Sequence, residues 1–137
     1  MELLSSREYE HFLLKMNEIQ QAIENAIPRI AIRLQNELVL ASPVDTGRLR
    51  NSITVTSDGM TLTITMVDYA FFVEFGTPPH VIKPKDKKAL HWGGKNGPVV
   101  KQVNHPGTRP NPFIRNTINN KIGIIVSEEI TKSISKI

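Results

Sequence analysis

Apolar residues recur at steps of three and four from Tyr9 through Phe12, Leu13, Met16, Ile19, Ile23, Ile27, Ile30 and Leu34 to Leu38. That spacing draws one stripe along a helix and predicts an α-helix over about Ser6 to Val39. Ser5 with Glu8 three residues later has the form of a capping box, in which each residue satisfies an orphan amide of the other. Pro28 removes one backbone hydrogen bond and crowds the preceding turn, so a kink, or two abutting helices, is expected near Ala26. The period then changes. From Ile53 to Met66, apolar residues and threonines alternate on both sides of Asp58-Gly59, which predicts an antiparallel hairpin with one buried face.

Between these elements, Ser42-Pro43 ends the first helix, and the side-chain oxygens of Asp45 and Thr46 are placed to cap a brief helical turn from Arg48 to Ser52. Tyr69 to Phe75 is a compact apolar and aromatic patch closed by Gly76 and Pro78-Pro79, which predicts a short helix plugging the core. Short strands are expected around Val81-Ile82 and over Ala89 to Trp92 or Val99 to Val103. Asn111 and Pro112 open a final helix bearing Phe113, Ile114, Ile118, Ile122, Ile125 and Ile130, weakened in its latter half by Gly123 and β-branched residues. The order predicts an α+β domain with helices packed on one face of a small antiparallel sheet. A chain of 137 residues is the size of one domain, residues 1–137. Within it, residues 1–40 form the N-terminal helical segment, 41–110 the sheet and loops, and 111–137 the C-terminal helix.

Composition changes this picture by exclusion. With no cysteine, disulfide scaffolds, thiolate zinc sites and cysteine nucleophiles are ruled out. No stretch approaches the roughly 18 consecutive apolar residues that span a bilayer, and the start Met1-Glu2-Leu3-Leu4-Ser5-Ser6 lacks a signal-peptide layout. No membrane role and synthesis in the cytoplasm are therefore expected. The net charge of +4 hides two opposite halves. Residues 1–78 carry 6 Lys and Arg against 10 Asp and Glu, net −4; residues 79–137 carry 11 against 3, net +8. Such halves suit contact with phosphate, or subunits meeting head to tail in a ring.

Few residues invite a chemical reading. Asp45-Thr46-Gly47 has the triplet of aspartic proteases, but occurs once and lacks the apolar strand that leads into it, so a capped turn with Gly47 relieving the backbone is the better reading. Glu74 sits among apolar residues, where a carboxylate needs a partner. Arg48, Arg50 or a basic residue of a neighbouring subunit is expected to supply it. His80, His91 and His105 match no zinc-ligand spacing. No phosphate-binding glycine loop, serine elbow, two-histidine zinc helix or calcium loop is present. No catalytic residue, metal or cofactor is expected. A small hydrolase would require a polar pocket around Asp45 or Glu74. The segment 80–109 carries Lys83, Lys85, Lys87, Lys88, Lys95, Lys101 and Arg109 against Asp86 alone. These cations suit a solvated loop, sequence-independent contact with DNA in a channel, or an acidic partner. Trp92, the lone indole, makes no base-stacking platform.

Three segments together resemble a known family. Pro43-Val44-Asp45-Thr46-Gly47-Arg48-Leu49-Arg50-Asn51-Ser52-Ile53 is the first. Tyr69 through Glu74-Phe75-Gly76-Thr77 is the second, and His105-Pro106-Gly107-Thr108-Arg109-Pro110-Asn111-Pro112-Phe113-Ile114 the third. In order and spacing they are similar to the phage tail-component proteins, also described as neck or tail-completion proteins, over roughly residues 40 to 120. The resemblance implies a non-enzymatic virion protein of long-tailed phages and prophages, acting at the head–tail junction. Its partners would be copies of itself in a ring and adjacent connector and tail proteins. The three segments are expected to pack together as a docking surface through Asp45, Thr46, Gly47, Arg48, Leu49, Ser52, Tyr69, Glu74, Phe75, Gly76, Thr77, His105, Pro106, Gly107, Thr108, Pro112 and Phe113. Lys83, Lys85, Lys87, Lys88, Lys95 and Arg109 are the expected contacts to DNA or an acidic partner. A free-standing nucleic-acid-binding module using the same lysines is the alternative.

Overall fold

A computed structural model of the chain describes residues 3–44, 47–82, 90–91, 99–100 and 103–137, with backbone alone over 80–105. Its elements are α1 (Ser6–Ala41), α2 (Arg48–Ser52), β1 (Thr54–Asp58), β2 (Thr61–Thr65), α3 (Ala70–Phe75), β3 (His80–Ile82), β4 (Leu90–His91), β5 (Val99–Val100), β6 (Val103–His105) and α4 (Phe113–Ile134). The class is α+β. The chain divides into two compact units, Met1–Asp68 with Phe113–Ile137, and Tyr69–Pro112.

In the first unit, α1 opens with the expected capping box: the Ser5 amide donates to Glu8 Oε2 at 3.1 Å, and the Glu8 amide donates to Ser5 Oγ at 3.2 Å. The helix runs through Pro28 as one element, with that proline exposed. The apolar stripe on both sides of it belongs to the same face, so packing holds the helix together where one backbone bond is lost. α4 likewise holds as a single helix to Ile134 despite Gly123. Its contact with α1 is the most extensive in the molecule. At the centre lie Ala26, Ile27 and Ile30 of α1 and Ile125 of α4, surrounded by Leu62, Ile122, Val126 and Ile130.

The hairpin lies against α1, with Leu62 reaching the cluster that Ile125 of α4 completes. Thr54↔Thr65, Val55↔Ile64, Thr56↔Thr63, Ser57↔Leu62 and Asp58↔Thr61 are its register pairs. Opposed residues of a ladder share a face. Val55, Ser57, Leu62 and Ile64 therefore form one side, and Thr54, Thr56, Asp58, Thr61, Thr63 and Thr65, all exposed, form the other. The turn sits one residue later than Asp58-Gly59. Asp58 still pairs with Thr61, so the loop is Gly59-Met60, with φ +59° at Gly59 and no positive φ at Met60. Only the first loop position needs the left-handed region, and glycine occupies it without strain.

In the second unit, α3 is followed by two short antiparallel ladders. One pairs β3 with β6 through His80↔His105, Val81↔Asn104 and Ile82↔Val103; the other pairs β4 with β5 through Leu90↔Val100 and His91↔Val99. Strands thus form at Val81-Ile82 and in both of the stretches expected as alternatives, 89–92 and 99–103. Among the described residues the strands make three separate two-stranded sheets instead of a single one.

Candidate docking surface

α2 depends on Gly47. Its φ of +81° is left-handed, and a Cβ there would meet only Asn51 Nδ2 at an ordinary 3.6 Å. Backbone conformation, not crowding, requires glycine at this position. Gly47 occupies the N-cap with no side-chain capping bond, and Asp45 and Thr46, expected to cap, lie outside the described residues. Leu49 is buried, Arg48 is exposed, and Ser52 clamps the segment. The Ser52 hydroxyl donates to Leu49 O at 2.7 Å and accepts from the Val67 amide at 3.1 Å, tying α2 to the end of β2.

Arg50 has a role that the sequence did not disclose. Its guanidinium donates to Ser42 O at 2.8 Å, Ser42 Oγ at 3.3 Å and Leu40 O at 3.5 Å. The last turn of α1 has no basic residue of its own. Arg50 thus brings a cation from α2 to carbonyls at the negative end of the α1 dipole. These bonds all lie within the first unit. Glu74 itself is buried on α3 in the second unit.

The second and third motifs meet. The Thr77 amide donates to Thr108 O at 3.1 Å and the Thr108 amide to Thr77 O at 3.0 Å, an antiparallel bridge reinforced by the two hydroxyls 3.0 Å apart. The Asn111 amide donates to Val73 O at 2.8 Å, fastening the chain after the third motif to α3. Two glycines make this closeness possible. A Cβ on Gly76 would stand 2.6 Å from Thr108 O, and one on Gly107 would collide with Thr77 O and come within 2.8 Å of Pro78 C. Both also have positive φ, +73° and +80°. Only a residue without a side chain fits on either count.

Tyr69 caps α3 through its carbonyl, which accepts from the Phe72 and Val73 amides at 3.0 and 3.2 Å. The patch was expected to plug the core. Instead Phe71, Phe72 and Phe75 are 62, 54 and 50 % exposed. Their rings touch one another, Phe71 to Phe72 edge-on at 5.8 Å and Phe71 to Phe75 tilted at 4.8 Å. A six-residue helix has one narrow inward face, and Ala70 and Glu74, four apart, occupy it. The phenylalanines are left to the outside.

Of the remaining predicted residues, Pro106, Thr108 and Arg109 are exposed, Pro112 is half-buried, and Phe113 is buried at the start of α4 in the first unit. His105 lies on β6 opposite His80, while His91 lies on β4. Lys83, Lys85, Lys87, Lys88 and Lys95 fall outside the described residues. Among the described residues, no group of three His, Cys, Asp or Glu could hold a metal, and no helix is long and apolar enough to cross a membrane.

The buried acid that the sequence reading missed is Glu129, only 3 % exposed between α1 and α4. Arg29 Nε lies 3.3 Å from its Oε1; Lys132 Nζ and Arg33 Nη1 lie 3.4 and 3.5 Å from its Oε2. Ser133 accepts from Arg29, and Arg33 also bonds Glu128 at 2.9 Å. Burial pushes the Glu129 carboxyl up, but the charge of Lys132 and the hydrogen bond from Arg29 outweigh it, leaving its pKa below the usual value. The signal was present as Arg29 and Arg33, four apart on one helix, facing Glu129 and Lys132, three apart on the other. It is a structural seam. The nearest grooves, of about 470 and 310 Å³, are open troughs between these helices at Glu18–Arg29 and at Glu37–Ala41.

These features define an α+β chain with glycine-dependent turns and exposed apolar side chains. Residues 11–76 match the family model described as "Bacteriophage HK97-gp10, putative tail-component", a span containing the first motif and the second as far as Gly76. Over that span the chain is similar to this family, which supports a phage tail component. Neither the curated proteins nor the solved structures contain a match to it.

Proposed function

We propose that this tail component is a non-enzymatic virion subunit that completes the neck or tail and joins head to tail, assembling as a ring with adjacent connector and tail proteins. The observation that carries this reading is the aromatic cluster Phe71, Phe72 and Phe75, turned outward on a helix whose following residues are locked by the Thr77–Thr108 bridge. Exposed rings in contact on a rigid support are what a protein interface uses as anchors. Opposite charge on the two halves of the chain favours head-to-tail contact, which closes into a ring. In that ring the 80–109 cations face an acidic neighbour or DNA in the channel, and any DNA contact is sequence-independent. No residue has a catalytic role.

Infection by phage lacking this gene, complemented with wild-type or Phe71→Ser/Phe75→Ser protein, tests the role. The expected result is full heads and tails that remain unjoined without the gene and with the double variant. Joined, infectious particles made without the protein would overturn it. A free nucleic-acid-binding module would instead shift duplex DNA as a monomer, in a salt-dependent manner.

A further inference from the structure

Of the hairpin's two edges, β1 is tied to α1 at Val55, and among the described residues β2 has no such tie. The Val55 amide points away from β2, because it donates to Gln35 Oε1 of α1 at 2.8 Å. Backbone groups alternate along an antiparallel strand, so those of Leu62 and Ile64, opposite Ser57 and Val55, also point away from the ladder, on the far side of β2. Among the described residues, no backbone bond outside the ladder reaches either residue. Natural edge strands are protected by charge, proline or a bulge. β2 reads Thr61-Leu62-Thr63-Ile64-Thr65 and has none of these.

The layer beneath is also incompletely covered. Two helices side by side are about 20 Å wide, whereas two strands are about 10 Å. Leu62, Ile122, Val126 and Ile130 are accordingly only partly buried around the core. The charge around this edge has one sign. Residues 53–69 contain Asp58 and Asp68, both exposed, and no Lys or Arg. Strands β3 and β6 carry the reverse: Lys83 and Lys85 follow Ile82, and Lys101 precedes Val103. The two strands also contain the apolar residues Val81, Ile82 and Val103.

We propose that the open edge of β2 receives the β3–β6 segment of a second copy of this chain, adding strands across the subunit boundary. The contact is heterologous, one edge against a different segment, and so propagates head to tail. This rests on the ring reading above and names its contact.

Thr63 is exposed at the middle of the edge, so a substitution there leaves the fold intact and changes only what approaches. The measurement is mass by light scattering over a concentration series, with melting temperature as the folding control. Wild-type protein is expected to exceed the 15.4 kDa of one chain and to dissociate as salt rises. Thr63→Lys, facing lysines, weakens association roughly threefold or more, and Thr63→Glu does not. Ile64→Pro, which removes an outward amide but no ladder bond, weakens it about tenfold. Thr56→Lys, on the neighbouring strand, serves as the control and has a smaller effect. A wild-type protein that stays monomeric, or an assembly indifferent to Thr63→Lys and Ile64→Pro, overturns the proposal; equal loss with Thr63→Glu overturns the basic occupant. Mass spectrometry of purified virions tests the tail reading separately, because the protein is present there whichever edge it uses.

Discussion

The two halves of α1 share one helix and one apolar period, yet one is core and the other is surface. From Ala22 to Leu38 the stripe is buried, with Ala26 and Leu38 at 0 % exposure. From Tyr9 to Met16 the same stripe is open, with Phe12 51 % and Met16 48 % exposed. The cause is length. α1 has 36 residues and α4 has 22, about 54 and 33 Å at 1.5 Å per residue. The end of α4 reaches only as far as the groove at Glu18, Gln21 and Ala22. Periodicity therefore announces a face, while the presence of a partner element decides whether that face becomes core.

The sharpest test substitutes one residue in each half. Leu38→Ala leaves a cavity in a closed interior and is expected to cost about 2–5 kcal/mol. Phe12→Ala removes a larger side chain from the open half and should stay within about 0.5 kcal/mol. Urea unfolding of both proteins measures the difference; equal losses would mean that the N-terminal half has a partner after all.

Next in size are the glycines. Gly107→Ala drives a methyl group into Thr77 O and is expected to cost about 2–3 kcal/mol, with loss of protection at the Thr77 and Thr108 amides. Gly47→Ala suffers only from its left-handed φ and should cost about 1–2 kcal/mol. Hydrogen exchange on both variants ranks them.

The seam at Glu129 sharpens the contrast by pH. Its folded pKa is depressed, so its contribution is complete above the unfolded carboxylate value and is lost as pH falls through the lower folded value. Melting temperature should drop on acidification below about pH 4. Glu129→Gln should flatten that limb and lower stability at neutral pH. An unchanged acid limb would place the pH dependence elsewhere.

The smallest effect lies at the far end. Ser5→Ala removes the hydroxyl that accepts from the Glu8 amide and costs about 1 kcal/mol of local helix stability. Amides of the first turn should exchange faster while the global unfolding midpoint stays in place.

Several elements were legible because their causes are local. The capping box at Ser5, the alternation of the hairpin, the short helix before Gly76 and the Asn111-Pro112 start of α4 each lie within a few residues of sequence. The outward turn of Phe71, Phe72 and Phe75 was not legible, since aromatic content suggests core and only packing decides that Ala70 and Glu74 take the inward face. Arg50 and Gln35 escaped notice for another reason. Their partners, the α1 carbonyls and the Val55 amide, are backbone groups brought within reach only by folding.

The sequence alone determined where most helices and strands form, the family that the three motifs resemble, and the opposite charge of the two halves. All of these follow from spacing and composition along the chain. Tertiary structure decided which part of the stripe is buried, how Gly76 and Gly107 bring two motifs together, and where Arg29, Arg33 and Glu129 meet. Those outcomes depend on distances between residues up to 104 apart in sequence, which no local pattern encodes.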